Sequence, residues 1–290
     1  MAKVGEPSPT SGAEWLKCDP VRNRLQLVLE PIRDRVLEGA RLQAGQWVLD
    51  VGAGTGLLAF EARRRVGSTG VVVALDVSQD ALSTCRQRAD SEEPVAPLHF
   101  VVGEAAHLPF GASSFDAAVI RSVLQFVREK LLAACELFRV LRPGGRVSLY
   151  EPINRVGRGY AWNPDLDVPP IQAEHDRIVA YIHENWEYRE PVLGFDERDL
   201  MRWFEEAGFH SIEVSSSYRY TAARRMKADR VKPHLEAGGH THAATYAVAA
   251  RAVLGAKAEE HLARMEDLLV SRPQVSRWAE TYLVARKAAP

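Results

Sequence analysis

The sequence predicts an α/β fold built on an open, doubly wound, mostly parallel sheet. Three observations predict it. From Trp47 onward, short β-branched runs alternate with longer segments of helical periodicity; several of the runs are apolar without alternation; and the first run ends in a glycine-dense turn. Uninterrupted apolar strands suit a parallel sheet, whose crossover helices cover both faces. Strand–helix alternation implies right-handed crossovers, hence an open sheet.

Each element follows in chain order. Residues 1–13, "MAKVGEPSPTSGA", contain Pro, Ser and Gly without an apolar stretch and are expected to form a flexible tail. "DPVRNRLQLVLEPIRDRVLEGA" (19–40) repeats Leu25, Val28, Leu29, Ile32 and Val36 at helical spacing, predicting one or two helices with Pro31 bending or separating them. Strands are predicted at "WVLDV" (47–51), "GVVVALD" (70–76), "LHFVV" (98–102), "DAAVI" (116–120) and "RVSLYE" (146–151), with helices near 56–66, 78–89 and 128–140. An insertion rich in Pro and aromatics follows from Asn154 to Leu193; in it Ile171, Ile178, Ile182 and Trp186 fall near one helical face. "DERDLMRWFEEAGF" (196–209) reads as a whole helix, capped by Asp196 and ended by Gly208. "IEVSSSYRY" (212–220) is strand-like, 224–275 is an Ala-rich helical insertion suited to a lid or subunit interface, and "AETYLVARKA" (279–288) closes the sheet as an antiparallel strand.

The expected organisation is one domain over 14–290: N-terminal helices 14–45, core 46–153, cap insertion 154–193, core 194–223, helical insertion 224–275 and closing strand 276–290. A net charge of -1 offers no field for a phosphate backbone, which argues against a nucleic-acid partner. Arg63–Arg65 and Arg224–Arg225 are short basic clusters that read as solvated faces. No apolar run approaches the roughly 18 residues that would cross a bilayer. Cys18, Cys85 and Cys135 are widely spaced and odd in number, which suits reduced thiols in a cytoplasm better than a disulfide framework or zinc site.

The glycine turn carries the chemistry. A dinucleotide site wants G-x-G-x-x-G, whereas Gly52-Ala53-Gly54-Thr55-Gly56-Leu57 places leucine at the third position of that fingerprint. Asp50, just ahead of the turn, would repel phosphate and suits a ligand bearing an ammonium or other cation. Asp76 ends the second strand, where an acid can accept hydrogen bonds from both ribose hydroxyls, in NAD or in another adenosine ligand. Glu104, after the third strand, can accept from an exocyclic adenine amine.

"VLDVGAGTG", "ALD", "GEAAHLPFGASSFDAAVIRSVLQFV" and "ELFRVLRPGGRVSLYEP" resemble, in order and spacing, the motifs of class I S-adenosylmethionine-dependent methyltransferases. The nearest flavour is the small-molecule group that includes ubiquinone/menaquinone-biosynthesis and natural-product enzymes. The resemblance covers about residues 40–155. It implies a Rossmann-like seven-stranded sheet with an antiparallel last strand, helical insertions forming a substrate cap, and S-adenosyl-L-methionine as cofactor. It further implies that Gly52, Ala53, Gly54 and Gly56 lie against the methionine and ribose, with Asp50 near the amino group. Asp76, with Val77 beside it, would hold the ribose; Glu104 and Ala105 the adenine; the Arg121 backbone the methionyl part. Many small-molecule members carry His near the end of "SVLQFV", where this chain has Gln125.

Methyl transfer from a sulfonium rests mostly on positioning, so a general base is optional. Glu151, ending the fifth strand on the ligand-binding edge, is the first candidate for one, against a structural acid paired with an Arg such as Arg155. His107 suits a surface or supporting role, and His175 and His183 on the insertion helix can face substrate or solvent. His234, His240 and His242 lack the partners of a metal site, so no metal is expected. Tyr160, Trp162, Trp186, Tyr188, Tyr218 and Tyr220 supply aromatic surface for an apolar or aromatic small molecule. The reading is methyl transfer to a small molecule through O, N or C, in secondary metabolism or quinone-like biosynthesis, with a homo-oligomer through the helical insertions as one expectation. An NAD(P)-dependent oxidoreductase and a non-catalytic partner protein of the same fold are the alternatives.

Overall fold

The structure is a computed structural model and describes residues 19–92, 95–156, 166–236 and 243–289. The expected tail, Cys18, Tyr160, Trp162, His240 and His242 lie outside the described residues.

Seven strands form one sheet: β1 (Trp47–Val51), β2 (Val71–Asp76), β3 (Leu98–Val102), β4 (Phe115–Arg121), β5 (Leu141–Pro152), β6 (His210–Arg224) and β7 (Gln274–Arg286). Their order is β3-β2-β1-β4-β5-β7-β6. β1 pairs in parallel with β2 and β4, and β2–β3 and β4–β5 are parallel too. β7 runs antiparallel to β5, Arg146 opposite Arg286 and Pro152 opposite Glu280. This is the mixed, mostly parallel sheet that the alternating pattern predicts. β5 and β7 begin earlier than periodicity marks, at Leu141 and Gln274, because backbone pairing carries through residues without an apolar pattern.

The chain divides into two compact units. The sheet unit holds 19–152, 195–216 and 280–289 of the described residues; the helical unit holds 153–194 and 217–279.

In the sheet unit, α1 (Asp19–Ala40), α2 (Leu57–Val66), α3 (Gln79–Ser91), α4 (Lys130–Val140) and α7 (Glu197–Glu206) accompany the strands; α5 (Gln172–Glu184) and α6 (Arg189–Leu193) belong to the helical unit. Four of the five residues in β1 are buried, and four of the six in β2, as strands covered on both faces should be. Val36, Leu37 and Ala40 of α1 join Val48, Ala59, Ala62, Val72, Ala117 and Val119 in one core. α1 continues through Pro31 without dividing. Proline removes the hydrogen bond to Leu27, and Leu27 is 76% exposed, so water can take that carbonyl. α3 is capped by Ser78 Oγ, which accepts from the Ala81 N–H at 3.2 Å. α7 starts at a capping box in which Asp196 and Asp199 each accept from the other's backbone N–H. Gly208, at φ +99°, turns the chain out of α7 as expected.

The helical unit contains α5 (Gln172–Glu184), α6 (Arg189–Leu193), α8 (Ala228–Glu236), α9 (Tyr246–Leu254) and α10 (Ala258–Ser271). Its core gathers Ile171, Ile178, Val179 and Ile182 with Val231, Leu235, Leu262, Met265 and Leu269. Ala247, Ala249 and Ala250 of α9 are buried in that same core, so its small side chains serve close helix packing inside the unit. A polar row crosses it. The Tyr246 hydroxyl lies 3.0 Å from His175 Nδ1 and 3.0 Å from His261 Nε2, and His261 Nδ1 lies 3.4 Å from Glu174 Oε2.

Candidate active site

β1 to β5 are parallel, so the residues that end them meet on one edge of the sheet. Strand order reverses between β1 and β4, which opens a crevice at that edge.

The turn after β1 is held from below. The Leu75 carbonyl accepts from Gly52 N–H at 2.7 Å and from Ala53 N–H at 3.0 Å. Gly54 donates to Asp76 Oδ2 at 2.8 Å, and Ser78 donates to Asp76 Oδ1 at 2.9 Å. Each Asp76 oxygen keeps a further lone pair for a ligand hydroxyl. Gly54 adopts φ +53°, and a Cβ built on it meets nothing within 4 Å, so the turn presents bare backbone to open space. Gly52 is required for a different reason: a Cβ there would collide with the Val123 side chain.

Asp50 is buried, and burial pushes its carboxyl up to about 7; the Ala59 N–H and the Arg121 charge offset only part of that penalty. Asp50 Oδ2 has no hydrogen-bond partner. Asp50 stands opposite Val119 in the register of β1 and β4. Arg121, two residues beyond Val119, therefore faces the same side of the sheet. Arg121 is half-buried, with the carboxyls of Asp50 and Glu151 nearby; burial holds its guanidinium below the ordinary value, and it makes no hydrogen bond or ion pair among the described residues. A buried carboxylate with an orphan oxygen and an unpartnered guanidinium thus share one face at the mouth of the crevice.

Glu104 and Ala105, expected on the adenine side, lie in the loop after β3. Gly103 N–H donates to the Asp76 carbonyl at 3.1 Å, tying that loop to β2. Ala105 is buried, whereas the Glu104 side chain is 72% exposed and only loosely paired with His107 at 3.8 Å. Val77 is 67% exposed beside Asp76, an apolar surface facing solvent.

Glu151 is wholly buried, and both its oxygens are engaged. Oε1 accepts from Val123 N–H and Leu124 N–H, each at 2.8 Å, and Oε2 accepts from Gln125 N–H at 3.3 Å. Burial pushes it up to about 7 despite these bonds. A general base needs an oxygen within reach of the acceptor, and this geometry gives Glu151 the task of a clamp instead. Gln125 is also buried and donates to the Ser122 carbonyl at 3.3 Å. Ser122 itself sits at φ +57°, a left-handed conformation with no signal in "RSVLQ".

The remaining candidates fall in the helical unit. His175 is in the buried polar row; His183 and His234 are held below the usual imidazole range by burial. Trp186 is buried, while Tyr218 and Tyr220 are exposed on β6. Among the described residues, no group of three or more His, Cys, Asp or Glu is placed to hold a metal ion, and no helix is long and apolar enough to cross a membrane.

The chain is similar to known proteins in sequence and in fold. Residues 49–149 match the methyltransferase domain family. The chain is 32% identical over 180 residues to the ubiquinone/menaquinone biosynthesis C-methyltransferase of Haemophilus ducreyi, covering 59% of this chain and 67% of that protein. It is 32% identical over 196 residues to the demethylmenaquinone methyltransferase of Staphylococcus aureus, covering 67% and 80%. In fold it is similar to phosphoethanolamine N-methyltransferase 2 of Haemonchus contortus solved with S-adenosyl-L-methionine, with a TM-score of 0.52 and 19% identity over 89% of this chain and 52% of that one. The glycine turn, Asp50 and Asp76 at the ends of β1 and β2 or one residue before, and these likenesses agree: the chain belongs to the class I S-adenosylmethionine-dependent methyltransferases and acts on a small molecule.

Proposed function

We propose that the protein methylates a small apolar or aromatic acceptor, and that Asp50 and Arg121 together read the amino-acid end of its methyl donor. One observation carries the donor site: the orphan Asp50 Oδ2 and the unpartnered Arg121 guanidinium on the same face, beside bare Gly54. An α-amino acid head offers an ammonium to the first and a carboxylate to the second. A dinucleotide would bring an anionic pyrophosphate to this turn, which Asp50 would repel. The residues present therefore fit S-adenosyl-L-methionine.

When bound, that cofactor supplies a methyl group on a sulfonium, which passes to the acceptor's nucleophilic atom. The chain's own share is placement. Asp76, fixed by Gly54 and Ser78, accepts from the ribose hydroxyls; Val77 and Ala105 give the adenine apolar contact, and Glu104 accepts from its amine. Gly52, Ala53 and Gly56 shape the turn beneath the methionyl chain. Restricting the two reactants in this way is worth up to roughly 7–11 kcal/mol in well-oriented systems, enough to dispense with a strong base for a reactive acceptor. Choice of acceptor falls to the insertions, which lie outside the matched segment 49–149. The names of the two bacterial relatives support a quinone-like, aromatic acceptor.

Calorimetric titration tests the donor site: S-adenosylhomocysteine is expected to bind and NAD to give no heat. The reverse result would overturn the reading. A labelled-methyl screen over aromatic phenols, quinols and amines then identifies the acceptor class, and transfer only to strongly charged acceptors would sink the apolar assignment.

A further inference from the structure

The segment after β4 is shaped by a residue on the neighbouring strand. Leu124–Phe126 form a single tight turn whose N-terminal cap position is Val123, a side chain with no atom that can accept a hydrogen bond. The amide groups of Val123, Leu124 and Gln125 would need water or a cap. Glu151 accepts all three from β5. The same segment holds Ser122 in the left-handed region, and its Val123 side chain fills the space where Gly52 has no Cβ. Arg121 directly precedes it. One carboxylate thus fixes the backbone that connects an unpartnered guanidinium to a wedge against the glycine turn.

From this we infer that Glu151 is a positioning residue: it supplies the missing cap of the Leu124–Phe126 turn and so sets Arg121 and Val123 against the glycine turn, without touching either reactant. The inference rests on the reading of Arg121 as the group that meets the cofactor's carboxylate. Glu151→Gln keeps the shape but turns an amide N–H toward backbone N–H groups. Val123→Ala trims the wedge and leaves the carboxylate in place.

The test is titration of the full chain and its variants with S-adenosylhomocysteine and with methylthioadenosine, which shares the adenosine but lacks the amino-acid head. The parent chain prefers S-adenosylhomocysteine. E151Q is expected to lose that ligand by about tenfold or more, the scale of a hydrogen bond to a charged group, while methylthioadenosine binding is unchanged. V123A is expected to lose in the same selective sense, and carries the test if E151Q does not fold. Val123→Thr, nearly isosteric and able to cap the turn itself, is expected to restore part of the loss in the E151Q background. Equal losses for both ligands, or no loss in a folded E151Q, would overturn the inference. If the parent chain binds neither ligand, the donor-site reading itself has failed, and the inference falls with it.

Discussion

Asp50→Asn separates the energetic burden of the buried carboxylate from its use. In the unfolded chain Asp50 titrates near 3.8, and burial pushes it up to about 7 in the fold. Between those values the folded chain holds a proton that the unfolded chain has released. Stability therefore falls as pH rises through that window, by about 1.4 kcal/mol per pH unit, and levels off above about 7. Asparagine carries no such proton. The stability of D50N relative to the parent should grow by about 2 kcal/mol from about pH 5 to about pH 7, or roughly 3–5 °C in unfolding midpoint. Thermal unfolding without cofactor, followed by circular dichroism at several pH values, reads this directly. The same variant should bind S-adenosylhomocysteine more weakly by roughly 2–4 kcal/mol at about pH 8, for loss of one partner of a buried ion pair. A stability difference that stays flat with pH would refute the burial argument, and unchanged affinity would refute the role of Oδ2.

Three further substitutions probe other links. Asp76→Ala should weaken S-adenosylhomocysteine binding by roughly 2–4 kcal/mol, for loss of charge-assisted bonds to the ribose, in the same calorimetric assay; unchanged affinity would mean that the ribose is held elsewhere. Gly54→Ala puts a methyl into open space at φ +53°, so the fold should lose only about 1–2 kcal/mol while ligand binding is lost; an intact isotherm would place the ligand away from the turn. Tyr246→Phe leaves two buried imidazoles without their shared hydroxyl and should destabilise the helical unit by about 1–3 kcal/mol, read as faster amide exchange in α5, α9 and α10. Protection equal to the parent's would show that the row contributes nothing.

The parallel strands were legible because burial on both faces writes itself as unbroken apolar runs: Val71–Leu75 and Ala117–Ile120 need no tertiary context to be read. The turn at Gly52–Gly56 and the acid twenty or so residues on were equally local. Glu151 was not. An acid at the end of a strand reads the same whether it faces an acceptor or caps a turn, and the amides it holds lie 26–28 residues away in sequence. Ser122 gives no warning of its left-handed backbone, since the constraint comes from β5 rather than from "RSVLQ" itself. Pro31 left the choice between one helix and two open, and the structure has one: a residue that breaks helices in isolation is tolerated where solvent can satisfy the freed carbonyl. The partners of Tyr246 were hidden for the same reason as Glu151's, being 71 and 15 residues away.

The polar row in the helical unit has a direction. Tyr246 has one hydroxyl proton and two imidazole neighbours, so it donates to one and accepts from the other. A carboxylate can only accept, so Glu174 takes the Nδ1–H of His261; burial lowers that ring's pKa, and in its neutral form Nε2 is bare. The Tyr246 proton must point there, and His175 must offer its own Nδ1–H to the Tyr246 oxygen. The circuit leaves α5 at His175, crosses α9 and α10, and returns to α5 at the adjacent residue, Glu174. Three helices are thereby keyed to one another like a lock with a single order of pins. A slip by one turn, about 5.4 Å, would carry the hydroxyl out of reach of both rings and leave buried polar atoms without these partners.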